Sequence, residues 1–275
     1  MSKPAPALRY SGSKWILAKW ICRHLPPHRT YLEPYFGSGA VFFNKTPSVI
    51  ETINDLNRDV VNLFRVIRDH KDELIRLVSL TPWARAEYYN SYEKTGDPVE
   101  DARRFLVRCW MAYGAKLSDR AGWAHNIQAK VGQKSKSCPR VWQGLPARIE
   151  QAAERLRDAQ IEEQPALEVI QRYRYPEVLI YADPPYLLST RSKRQYAVEM
   201  TDQEHVELLD ALDDHLGPVL LSGYANELYD ERLKHWVRRE AQAVAQNGRR
   251  RVEVLYINPV AAKSLQMSMF GEVIP

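Results

Sequence analysis

Four consecutive residues, Asp183-Pro184-Pro185-Tyr186, combine groups suited to an amine on a flat ring. An ionised carboxylate only accepts hydrogen bonds. Two prolines lack N–H donors and have φ held near one value. The carbonyls of Asp183 and Pro184 are therefore rigidly aimed and cannot be absorbed into a helix. Such an acceptor cluster fits a substrate NH₂, for example the exocyclic amine of a nucleobase, and the Tyr186 ring fits stacking on that base. The apolar run Val178-Leu179-Ile180-Tyr181-Ala182 just before it has the pattern of a buried strand. Open α/β sheets place their chemistry at the carboxyl ends of strands.

Two further segments carry binding chemistry. Glu33-Pro34-Tyr35-Phe36-Gly37-Ser38-Gly39 is a glycine turn after a strand, where the backbone can take positive φ and approach a ligand closely. The third glycine of the dinucleotide fingerprint is absent, since Phe42 stands there, so the turn fits a nucleoside better than a pyrophosphate. Asp55, just past the next strand, is placed either to take ribose hydroxyls or to cap the following helix. Leu8-Arg9-Tyr10-Ser11-Gly12-Ser13-Lys14 is a small-residue turn opening a helix, with Lys14 able to meet a carboxylate.

The elements that must position these groups follow from periodicity. A helix is expected over 15–24, strands over 30–33 and 48–53, and a helix over 59–68 with Val60, Leu63, Phe64 and Ile67 inward. The stretch 71–114 is helical without strands, and order fades over 115–144. Helices at 145–157 and 165–172 precede the Asp183 strand. Thr201 to Glu204 forms a capping box for a helix that turns Val206, Leu208, Leu209 and Leu212 inward. Strands follow at 218–221 and 252–257. The fold class is α/β: a sheet interrupted by a basic, mostly helical lobe. The divisions are 1–70 and 149–275 for the catalytic domain and 71–148 for the lobe.

Charge is unevenly spread. Residues 103–148 hold ten Lys or Arg against one acid, whereas the whole chain has 39 against 34. Trp110, Tyr113, Trp123, His125 and Trp142 interleave with these cations, the composition a polyanion with stackable bases requires. No segment approaches 18 uninterrupted apolar residues, so no membrane span is expected. Cys22, Cys109 and Cys138 are too few and too separated for a disulfide framework or a zinc site. They suggest a reducing cytoplasm, with Cys22 and Cys109 buried. No metal and no obligatory protein partner is expected.

In order along the chain, these segments resemble the Dam-type (alpha-group, D12 class) DNA adenine methyltransferases. Arg9 to Lys14, Glu33 to Gly39, Asn54-Asp55-Leu56-Asn57, Asp183 to Tyr186, Ser222-Gly223-Tyr224 and Asn247-Gly248-Arg249-Arg250 carry the resemblance. It implies a Rossmann-like methyltransferase sheet with an inserted, mostly helical target-recognition lobe, S-adenosylmethionine as cofactor, and methylation of adenine amino groups in double-stranded DNA with base flipping. Tyr10, Lys14, Phe36, Gly37, Gly39, Asp55 and Asp183 would bind the cofactor. Asp183, Pro184, Pro185 and Tyr186 would form the catalytic tetrad. Arg120, Lys130, Lys134, Lys136, Arg140, Arg191, Lys193, Arg194 and Arg249 are the expected DNA contacts. The stretch from Met111 to Arg140 departs from the family's DNA-reading hairpin and is closer to phage and mobile-element variants, so a GATC target is not implied. Amino methylation of cytosine, of RNA or of glutamine amides, and a non-catalytic DNA-binding module, remain alternative readings of the residues themselves.

Overall fold

The computed structural model describes residues 4–113, 121–128, 137–190, 198–244 and 250–269. Contacts divide the chain into two compact units: Met1–Ser13 with Asn57–Arg157, and Lys14–Leu56 with Asp158–Arg194 and Val198–Pro275.

The second unit is a seven-stranded sheet. Its strands are β1 (Thr30–Glu33), β2 (Ile50–Asn54), β3 (Ala159–Glu162), β4 (Val178–Ala182), β5 (Val219–Tyr224), β6 (Val237–Val244) and β7 (Arg250–Ile257). They lie in the order β3-β2-β1-β4-β5-β7-β6. Strands β1 to β5 pair in parallel, and β7 runs antiparallel between β5 and β6. This is the Rossmann-like methyltransferase arrangement. Strand order reverses between β1 and β4, whose register pairs Thr30 with Val178 and Leu32 with Ile180. The segments leaving the carboxyl ends of these two neighbours are the glycine turn and the Asp183 tetrad. Such a reversal point is where open α/β sheets bind ligands.

Fully buried strands explain the apolar runs: all five residues of β4 are buried. Ile180, Val219 and Leu221 pack against Val169 and Ile170 of α8 (Ala166–Arg172) and Leu208, Leu209 and Leu212 of α9 (Asp202–Asp213). Thr201 and Glu204 make the expected capping box on α9. Val206 is only half-buried, and His205 takes the inward place, its Nδ1 2.9 Å from the Tyr229 hydroxyl. The first helix, α1 (Ala18–Cys22), is shorter than the expected 15–24, because turns occupy its approach. Strands β3 and β6 were not anticipated. Both lie at sheet edges, and β6 reads Val-Arg-Arg-Glu-Ala-Gln-Ala-Val, without an apolar alternation.

The first unit is helical: α2 (Arg58–Asp69), α3 (Lys71–Leu80), α4 (Arg85–Asn90), α5 (Pro98–Met111), α6 (Cys138–Trp142) and α7 (Leu145–Leu156). Leu63, Phe64 and Ile67 of α2 are buried as their spacing requires. Within 115–144, where order was expected to fade into a loop or hairpin, Trp123 forms an antiparallel bridge with Ala112, which lies just before that stretch. The helices α10 (Glu227–Arg232) and α11 (Pro259–Met269) complete the sheet unit. No helix among the described residues is long and apolar enough to cross a membrane.

Candidate active site

Asp183 follows β4 directly, and Lys14 closes on it: Lys14 Nζ lies 2.9 Å from Asp183 Oδ1. The ammonium is 5% exposed and the carboxylate 18%. Burial pushes the Asp183 carboxyl above its ordinary range, Lys14 pulls against that, and the charge of Glu253 adds to it. Lys14 also sits over the Tyr186 ring, 4.6 Å from its centroid. The Tyr186 hydroxyl donates to Glu253 Oε2 at 2.7 Å, and its ring meets that of Tyr224 edge-on at 4.4 Å. Tyr186 is buried in this arrangement.

The glycine turn stands beside it on β1. Gly37 and Gly39 have φ of 50° and 65°, the left-handed region that favours glycine. A Cβ on Gly39 would lie 2.4 Å from Phe36 Cζ. Asp55 Oδ2 accepts from the Gly37 N–H at 2.7 Å, and the Phe36 N–H donates to the Asn54 carbonyl at 2.9 Å. Asp55 therefore ties the turn to the end of β2. The capping alternative falls to Asn57, whose side chain accepts from the Asp59 N–H. Tyr10 belongs to the helical unit, where Asn57 Nδ2 donates to its hydroxyl at 3.2 Å.

Glu33, the last residue of β1, is buried and accepts from the Tyr31 hydroxyl at 2.7 Å. Burial pushes its carboxyl up to about 8; the Tyr31 hydrogen bond opposes this and the Asp183 charge adds to it. Glu33 and Glu253 were not singled out as site residues from sequence. Glu33 stood inside a quoted motif, but its burial is a property of the neighbouring strands. Nothing local marks Glu253 beyond its being an acid within an apolar strand.

The left-handed glycine turn brings bare backbone to the sheet edge, and the carboxylates of Asp55 and Asp183 stand at the ends of the neighbouring strands. Among the described residues no group of His, Cys, Asp and Glu could hold a metal ion.

The basic segment divides. Arg103 pairs with Glu87 and Glu100, Arg104 with Glu100, and Arg108 with Asp59, all inside the helical unit. Arg148 donates to the Pro6 carbonyl and lies over Trp110. Trp110 and Trp142 are buried, their indoles bonded to the carbonyls of Ala7 and of Val78 and Thr81, so neither is a stacking surface for bases. Helical periodicity turned both inward, which the interleaving of aromatics and cations obscured. Arg140, on α6, is exposed. Tyr113 is exposed, and Trp123 stacks on His125 with Arg85 across its ring. Arg120, Lys130, Lys134, Lys136, Arg191, Lys193, Arg194 and Arg249 lie outside the described residues. Cys109 is buried as expected, whereas Cys22 is half-buried, with its thiol pushed up to about 11 chiefly by burial.

Residues 10–248 match the family described as D12 class N6 adenine-specific DNA methyltransferase. The DNA adenine methylase of Escherichia coli (strain K12) is 27% identical over 271 residues, covering 92% of this chain and 94% of that protein. The DNA adenine methylase of Salmonella typhi is 26% identical over 243 residues, 84% of each chain. A shorter match, 34% over 76 residues, is to the DNA adenine methylase of Serratia marcescens, covering 28% of each.

Proposed function

Because this chain belongs to the D12 class of N6 adenine-specific DNA methyltransferases, we propose that it moves the methyl group of S-adenosylmethionine to an adenine flipped out of duplex DNA at the β1/β4 switch point. The observation that carries this reading is the buried Lys14–Asp183 pair beside a glycine turn held by Asp55.

The adenine amino nitrogen is a poor nucleophile, because its lone pair is conjugated with the ring. Asp183 and the Pro184 carbonyl accept from its two N–H groups and favour a pyramidal nitrogen with a localised lone pair. Lys14 favours the ionised, acceptor form of Asp183 and opposes the burial that favours its protonation. Tyr186 supplies the stacking ring once the base displaces Lys14 from its face. S-adenosylmethionine, when bound, supplies a methyl on a positively charged sulfur that departs as a neutral thioether. Lys14, Phe36, Gly37, Gly39, Asp55 and Asp183 would bind and orient it, so the protein contributes placement and electrostatics. The nitrogen is cationic and strongly acidic once methylated, so its surplus proton passes to solvent water and Asp183 is not required as a full general base. The target amine is inaccessible inside a duplex, which makes flipping necessary.

The helical unit serves as the target-recognition lobe. Arg140, with Arg120, Lys130, Lys134, Lys136, Arg191, Lys193, Arg194 and Arg249, contacts the DNA, and the protein acts in the cytoplasm. Calorimetric titration with S-adenosylmethionine in the absence of DNA tests the cofactor assignment. A heat signal that Asp55→Ala weakens is expected; no heat from the intact chain would return it to a non-catalytic DNA-binding module.

A further inference from the structure

Tyr186 has one hydroxyl proton and two carboxylates within reach. It lies 2.7 Å from Glu253 Oε2 and 3.5 Å from Asp183 Oδ1, the second at the outer limit of a hydrogen bond. Glu253 is buried on β7, directly opposite Tyr224 of β5 in the antiparallel register. Tyr224 in turn packs edge-on against the Tyr186 ring. One cross-strand pair thus grips Tyr186 at both its hydroxyl and its ring.

We infer that Glu253 is a positioning residue for methyl transfer: by accepting the Tyr186 hydroxyl's hydrogen bond it keeps that donor off Asp183 and fixes the plane of the ring. The inference rests on the reading of Asp183 as acceptor of the substrate amine and of Tyr186 as its stacking ring. Lys14 already donates to Asp183 Oδ1. A second donor on the same oxygen would weaken it as an acceptor and crowd the direction from which the amine must arrive. A buried hydroxyl that loses its partner turns to the next acceptor, because leaving it unmade is costly. For Tyr186 that acceptor is Asp183. A carboxylate also holds the ring more firmly than a neutral acceptor, since hydrogen bonds to charged groups are the stronger ones.

A double-mutant cycle of Glu253→Leu and Tyr186→Phe, with Glu253→Gln alongside, tests this in single-turnover methyl transfer to DNA. Glu253→Leu should slow transfer roughly 10-fold or more while leaving the S-adenosylmethionine dissociation constant unchanged. Glu253→Gln, which keeps an acceptor, should recover most of the rate. In the Tyr186→Phe background there is no hydroxyl to misdirect, so adding Glu253→Leu should cause no further loss. Equal, additive losses in both backgrounds would mark Glu253 as merely structural and overturn the inference, as would a wild-type rate for Glu253→Leu. Should Glu253→Leu alone not fold, the double variant is compared with Tyr186→Phe: equal rates support the role and a slower double variant overturns it. Absence of N6-methyladenine with the intact chain would instead remove the underlying reading of the site.

Discussion

Asp183 is held between burial, which favours its neutral form, and Lys14, which favours the charged one. Asp183→Ala should lower methyl transfer by on the order of 10²–10³ with folding largely kept. Turnover measured with labelled cofactor checks this, and near-normal turnover would remove the assignment. Glu33 makes a second, independent prediction. Its carboxyl ordinarily titrates at 4.5 and does so at about 8 in the fold. Between those values the folded chain keeps a proton that the unfolded chain has lost. The stability Glu33 contributes is therefore full below the lower value and falls as pH rises through the upper one. Glu33→Gln keeps the acceptor for Tyr31 and cannot ionise. It should be more stable than wild type near about pH 9, by a few kcal/mol at most, with the gap closing towards about pH 5. A gap that stays constant across this range would contradict it. Lys14 was legible in sequence as a cation able to meet a carboxylate, but its partner Asp183, much further along the chain, was not. The roles of Glu33 and Glu253 were not, because they depend on which strands surround them.

The glycine turn works because two elements constrain it, β1 from which it leaves and β2 whose end presents Asp55. Gly39→Ala puts a Cβ at a φ of 65° and against the Phe36 ring. It should cost about 1–3 kcal/mol in stability and weaken S-adenosylmethionine binding. Thermal denaturation and calorimetry report both, and an unaltered melting temperature would show that the turn relaxes freely. Asp55→Asn retains an acceptor for the Gly37 N–H, whereas Asp55→Ala does not, so Asn should preserve the turn and Ala should lose it. Equal cofactor affinity in the two variants would show that this hydrogen bond is dispensable. Elements with a buried face announced themselves: β1 and β4 occupy the expected spans, and α2 extends its expected span by one residue at each end. Strands β3 and β6 did not, because an edge strand can pair through its backbone with few apolar side chains, as the Arg238-Arg239-Glu240 run of β6 does.

Within the whole molecule, the cations of the basic segment 103–148 separate by use. Arg103, Arg104 and Arg108 are paired inside the helical unit, so reversing them should destabilise the fold and say little about DNA. Arg140 is exposed, and Arg140→Glu should weaken DNA binding by roughly 1–3 kcal/mol without changing cofactor affinity. Replacing Lys130, Lys134 or Lys136 should lower the salt dependence of binding by roughly one counterion each. Titrations on two unrelated duplexes across salt concentrations measure both effects; wild-type affinity and slope in all four variants would place the DNA surface elsewhere. Sequence alone could not make this division, because pairing partners such as Asp59 and Arg108 lie far apart in the chain. The account stands most directly on the identity of the product. Unmethylated duplex DNA is incubated with the chain and S-adenosylmethionine, digested to nucleosides and analysed by mass spectrometry. N6-methyladenine should appear with the intact chain and fall at least on the order of a hundredfold with Asp183→Ala. N4-methylcytosine in its place, or equal N6-methyladenine from both proteins, would contradict the account.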